Sequence, residues 1–142
     1  MFAAIPLLVF PVLAYNLIIL TLPGGFAAID ADARMSQQLF SVRMTSHIDW
    51  MVTLGDLLLA ASLVVLFIEL LKSTTSRRIA IVNHSLSMVL FILCLVEFLL
   101  APASATSTFF LITLMVLLDV LAGFIVTIVS ARRDVDFTGD DR

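Results

Sequence analysis

The chain has 142 residues, of which 61% are hydrophobic and only 13% charged, and its net charge is −3. Soluble domains carry about 45–50% apolar and about 25% charged residues, so this balance excludes an ordinary water-soluble globule. No basic patch offers a footing for nucleic acid, and the single cysteine, Cys94, excludes an internal disulfide.

The hydrophobic residues collect into four runs, at residues 5–22, 50–71, 79–100 and 108–131. Each is near the ~20 residues that a helix rising ~1.5 Å per residue needs to cross ~30 Å of hydrocarbon. The runs are continuous rather than alternating, and in lipid only helices or closed barrels satisfy every backbone group. They predict an all-α polytopic membrane protein, a four-transmembrane-helix up-and-down bundle, with residues 1–142 forming one integral membrane domain.

In the first run, Pro6 suits a first helical turn, whereas Pro11 predicts a kink or a shortened regular part. The run reads as a span and not as a cleaved signal peptide. No Lys or Arg precedes Arg34, and the apolar stretch exceeds the ~7–15 residues of a signal core. Pro23-Gly24-Gly25 ends it. In the outer loop, 24–46, the spacing of Met35, Leu39, Phe40 and Met44 fits either an interfacial helix or an ordered loop packed on the helix ends. His47 and Asp49 lie near Asp30 and Asp32 in sequence, but not at a recognised metal-ligand spacing, so no metal site is expected.

Before the second run, Thr45, Ser46 and Asp49 offer capping oxygens, and Trp50 suits the membrane interface. Asp49, Thr53, Asp56, Ala60 and Leu63 share a helical stripe in this reading. Glu69 falls at the inner end with Lys72 at i+3, where it can pair or snorkel. The polar stretch 72–78 turns the chain into the third run, where Asn83, Ser87, Leu90, Cys94 and Glu97 share one stripe. His84 lies about 140° around the helix from Glu97, away from that stripe. Residues 101–108 lead into the fourth run, whose stripe is Ile112, Met115, Asp119, Gly123 and Val126. Within the tail, 132–142, the stretch 134–142 is acidic, and chain ends are usually mobile.

Lys72, Arg77, Arg78, Arg132, Arg133 and Arg142 fall on one side of the expected membrane, and Arg34 and Arg43 on the other. This bias places both termini in the cytoplasm, in a bacterial inner (plasma) membrane.

Ionisable groups within spans are costly and usually face a bundle interior or a wet cavity. The candidates for proton or ion binding, or for pairing with a partner, are Asp119, Asp56, Glu97 and Asn16. Asn83, Ser87, Cys94 and Thr53 form a secondary polar set. Asn16 and Asp56 lie ~9 Å below the outer end, Glu97 ~5 Å and Asp119 ~16 Å. No Lys or Arg lies inside the four runs, so the acids have three possible roles. They are protonated hydrogen-bond donors between helices, carriers of a proton or cation, or partners for a base on another subunit. No nucleophile–base grouping, glycine-rich phosphate loop or CxxC is present, so neither enzyme activity nor a cofactor is expected. The expected function is a non-enzymatic subunit of a membrane complex or homo-oligomer, in the lipid bilayer, that associates with its own copies or other membrane subunits through its polar and small-residue helix faces. The alternative is an oligomeric proton- or cation-coupled transporter or channel.

Overall fold

A computed structural model describes residues 5–73 and 77–138. Five α-helices dominate it: α1 (Val9–Leu20), α2 (Ala31–Met35), α3 (Leu54–Ser73), α4 (Arg77–Leu100) and α5 (Ser107–Thr138). Between α2 and α3 stand two strands, β1 (Gln38–Arg43) and β2 (Asp49–Thr53). Three helices are long and apolar enough to cross a membrane, over Leu54–Lys72, Val82–Leu100 and Ser107–Ile125, which fits an integral membrane location.

The first run is helical over 12 residues only, ~18 Å of rise. Pro11 accounts for the late start. A proline has no N–H to give and disfavours helical geometry just before it, so it is tolerated only in a first turn. The α-helix accordingly begins at Val9, two residues before Pro11, after tighter turns at Pro6–Val9 and Leu7–Phe10.

The loop departs most from expectation, and it makes the fold helical with a β-hairpin instead of all-α. Neither one interfacial helix nor one ordered loop packed on the helix ends holds Met35, Leu39, Phe40 and Met44, and only Met44 lies in a loop, at the hairpin tip. Met35 closes the five-residue α2 and is buried, whereas Leu39 and Phe40 lie on β1. The strands pair antiparallel, with Phe40 opposite Val52, Val42 opposite Trp50 and Arg43 opposite Asp49, and an irregularity at Leu39. At the tip the N–H of His47 donates to the Met44 carbonyl at 3.0 Å, with His47 at φ +65°. The second run therefore starts as a strand, and its helix begins at Leu54, not Trp50. Thr45, Ser46 and Asp49 do not cap it. The cap is reciprocal between Thr53 and Asp56: the Asp56 N–H donates to Thr53 Oγ1 at 3.1 Å, and the Thr53 N–H donates to Asp56 Oδ2 at 2.9 Å.

α4 starts two residues before the expected 79–100, and α5 runs beyond 131 into the acidic tail as far as Thr138. Residues 139–142 of the tail and 74–76 of the expected turn lie outside the described residues, as does the side chain of Val126. α5 is the central helix, packing against both α3 and α4. Its buried residues, Phe109, Ile112, Val116, Asp119, Val120 and Gly123, recur at three- and four-residue steps. α1 completes the core with Leu8, Val12, Tyr15 and Ile19, one helical face. Its opposite face, with Phe10, Leu13 and Leu17, is equally apolar but exposed.

Candidate functional site

The polar side chains of the long helices gather in three places. At the end where α3 stops and α4 starts, Glu69 is 0% exposed and serves as a hub. Its Oε1 accepts from Lys72 Nζ at 2.9 Å and from Asn83 Nδ2, and its Oε2 accepts the Leu7 N–H at 2.7 Å. Lys72 also donates to Asn83 Oδ1 at 3.1 Å and to the Ile5 carbonyl at 2.8 Å. An ammonium has three donors, and all three are used. Glu69 pairs with Lys72 at i+3, as its spacing predicts, and is buried among the helices. Lys72 is thus the cation that the chain itself supplies to Glu69, from the last residue of the candidate span Leu54–Lys72.

At the hairpin end, Asn16 Nδ2 donates to Glu97 Oε2 at 3.2 Å and Ser104 Oγ donates to Oε1 at 2.9 Å. Beside them the Tyr15 hydroxyl donates to the Ala103 carbonyl at 2.8 Å and lies 2.7 Å from Thr106 Oγ1. These bonds fasten α1 to the end of α4 and the start of α5.

Between the two ends stands Asp119, fully buried on α5. Ser87 Oγ lies 2.6 Å from its Oδ2 and 3.1 Å from the Asn83 carbonyl. Among the described residues, Asp119 Oδ1 has no hydrogen-bond partner, and neither has Nδ1 or Nε2 of the buried His84. One turn beyond Asp119, Gly123 receives the His84 ring. A Cβ built on Gly123 would fall 2.1 Å from His84 Cγ and Nδ1, so only a glycine admits the ring there. His84, Lys72 and Glu69 are the charged or titratable groups that act electrostatically on Asp119.

The candidates thus separate. The structure joins Asn16 to Glu97, and Ser87 to both Asp119 and the backbone of Asn83. Cys94 is buried in the apolar core. Thr53 and Asp56 bond to each other, with Thr53 Oγ1 donating to Asp56 Oδ2 at 2.7 Å. They stand apart from the rest because the expected stripe on the second run is not the buried face. Asp49 and Thr53 are in β2, while Ala60 and Leu63 point outward. The face of α3 that packs is Gly55, Ser62, Leu66 and Glu69. Gly55 permits the approach, since a Cβ there would lie 2.7 Å from Thr108 Oγ1.

Sequence reasoning pairs Glu69 with Lys72 but misses the Asn83 and Leu7 bonds to Glu69, and it misses His84 as a neighbour of Gly123. Small residues carried the usable signal: Gly55 and Ser62 mark the face that includes Glu69. Among the described residues, no group of three or more His, Cys, Asp or Glu side chains is placed to hold a metal. No protein-family model matches the chain, and no curated protein or solved structure matches it either.

Proposed function

We propose that this is a non-enzymatic, four-span integral membrane protein that works by association, as a small component of a larger membrane complex or a homo-oligomer. In this reading α1 is a short fourth span in an up-and-down bundle. Both termini lie in the cytoplasm of a bacterial cell, and the membrane is the inner one. The observation that carries the reading is how the polar groups are used. Glu69, Glu97 and Asp56 are all engaged within the chain, and the outward surfaces of α1, α3, α4 and α5 are rows of exposed Leu, Val, Ile and Phe. Such a molecule offers neighbours a surface and little chemistry. The polar stripes lock its own helices together, so partners would meet the apolar faces instead. Extraction in a mild detergent should give an assembly far larger than one 15.5 kDa chain, with co-purifying subunits or repeated copies. A monodisperse monomer in several lipid-like environments would sink this reading.

A second reading, proton or cation handling, is favoured by the partnerless Asp119 Oδ1 and His84 ring nitrogens. Ser87 suits either protonation state of Asp119. It can donate to a carboxylate, or accept from a carboxylic acid while donating to the Asn83 carbonyl. Liposome flux driven by a pH or cation gradient should then fall at least tenfold in Asp119→Asn. Equal flux in variant and wild type would remove Asp119 from consideration.

A further inference from the structure

The β1–β2 hairpin has one fully apolar face. Side chains alternate along a strand, so the pairs Phe40–Val52 and Val42–Trp50 point the same way. The Met44 N–H donates to the Ile48 carbonyl at 2.9 Å, which continues that register to the tip. Phe40, Val42, Met44, Ile48, Trp50 and Val52 therefore share a face. Val52 is buried at its base, but the other five range from 40% exposed for Val42 to 69% for Ile48. The opposite face carries Ser41, Met51 and an exposed Arg43–Asp49 ion pair at 3.7 Å.

We infer that this apolar face lies flat on the lipid bilayer, at the boundary between headgroups and acyl chains, as an interfacial anchor beside the start of α3. The inference rests on the membrane-spanning reading above. Three observations single out lipid as the occupant.

The first is height. β2 passes into α3 with no linker, because Thr53 ends the strand and Leu54 starts the candidate span. The Thr53–Asp56 cap and a bond from the Leu54 N–H to the Gln37 carbonyl at 3.1 Å pin the junction. The base of the hairpin is thereby held at the level of the membrane surface. Standing upright, its strands would lift the apolar face ~20 Å into water, at ~3.3 Å per residue. Lying down, they bring the five exposed residues of the face onto lipid.

The second is depth. Each strand has one edge of unpaired N–H and C=O groups, which hydrocarbon does not tolerate. The hairpin is thus confined to the hydrated interfacial zone, the zone in which tryptophan is enriched. With the apolar face down, Arg43 and Asp49 point towards headgroups and water.

The third is area. The exposed part of the face is roughly 500 Å², the size of the largest apolar patch on a typical monomer, and such patches are often functional. Two such faces stacked from two copies would bury roughly 1,000 Å², short of the ~1,200–2,000 Å² of a stable protein interface. A bilayer sets no such minimum.

Trp50 is the only tryptophan, so the native protein reports on this face without substitution. In liposomes its emission should be blue-shifted. Lipids brominated high on the acyl chain should quench it several-fold more than lipids brominated near the chain end, and aqueous iodide should quench it little. Strong iodide quenching with no effect of brominated lipid would overturn the proposal. So would emission that ignores both quenchers and shifts when the protein is diluted into excess lipid, the sign of a second copy on the face. Alkaline carbonate extraction of the same liposomes tests the membrane-spanning reading separately. Protein that resists extraction while Trp50 remains in water would refute only the hairpin's position.

Discussion

Gly123→Ala is expected to destabilise the protein by about 1–3 kcal/mol, the usual cost of overpacking a core, although it adds a single methyl group to a helix. The added carbon would lie 2.1 Å from two atoms of the His84 ring and 2.5 Å from a third, far inside van der Waals contact. Two relaxations are open. The ring can swing away from α5 and lose its packing, or α4 and α5 can move apart. The second route stretches the Ser87–Asp119 contact at 2.6 Å, which joins the same two helices one turn away. Intrinsic helix propensity works in the opposite direction, since alanine is favoured over glycine by about 1 kcal/mol in a helix interior. A net loss would therefore show that the steric clash wins. The decisive measurement is a double-mutant cycle with His84→Ala, followed by unfolding in mixed micelles. With the ring removed, Gly123→Ala should become neutral or stabilising. If the two substitutions simply add, the ring does not rest on Gly123, and the close α4–α5 contact described above is not the one that matters.

The legibility of the sequence follows from which physical signal dominates each region. The three long helices were readable because ~20-residue apolar runs have few other uses. Their facing sides were harder to read. α3 is apolar nearly all round, so weighting its polar residues pointed to Asp56, Ala60 and Leu63, whereas close packing selects small residues and buries Gly55 and Ser62. On α4 the same weighting succeeded: Asn83, Ser87, Leu90 and Cys94 are all buried, because there the polar and small residues coincide. The hairpin escaped notice for two reasons. Residues 50–71 form one unbroken apolar run across a strand–helix junction, and hydropathy has no means of marking it. The alternation Phe40-Val42-Met44 was also masked by Met35, Leu39 and Met44, which fit helical spacing. Helix rise sets Asn16 at ~9 Å and Glu97 at ~5 Å, and groups Asn16 with Asp56, yet it is Asn16 and Glu97 whose side chains meet, at 3.2 Å. On α1, Pro11 delays the helix without making the preceding residues less apolar, so the apolar run is longer than the 12 helical residues.

Glu69→Leu should be among the most damaging single substitutions, costing about 3–5 kcal/mol, because it removes one partner of a buried ion pair and leaves the other. Three donors converge on Glu69, from Lys72, Asn83 and the Leu7 backbone, and leucine accepts from none of them. Glu69→Gln keeps the shape and one acceptor but points an amide N–H₂ at groups that are themselves donors. Its loss should be smaller, about 1–3 kcal/mol. The informative variant is the double, Glu69→Leu with Lys72→Met. Replacing both members of a buried pair by apolar groups of similar size is often close to neutral, so the double should be more stable than Glu69→Leu alone. The Lys72 side chain is 20% exposed, which provides the competing outcome. If Lys72 can swing its ammonium out to water once Glu69 is gone, the single and double variants will be equally stable. Amide exchange tests separately whether the hub holds the N-terminal segment. The Leu7 N–H and the Ile5 carbonyl are tied to this pair, so loss of the hub should release protection at Leu7 in either variant. Protection at Leu7 that survives both changes would mean that the segment is held by Leu8 and Val12 in the apolar core instead, and that Glu69 serves Lys72 and Asn83 alone.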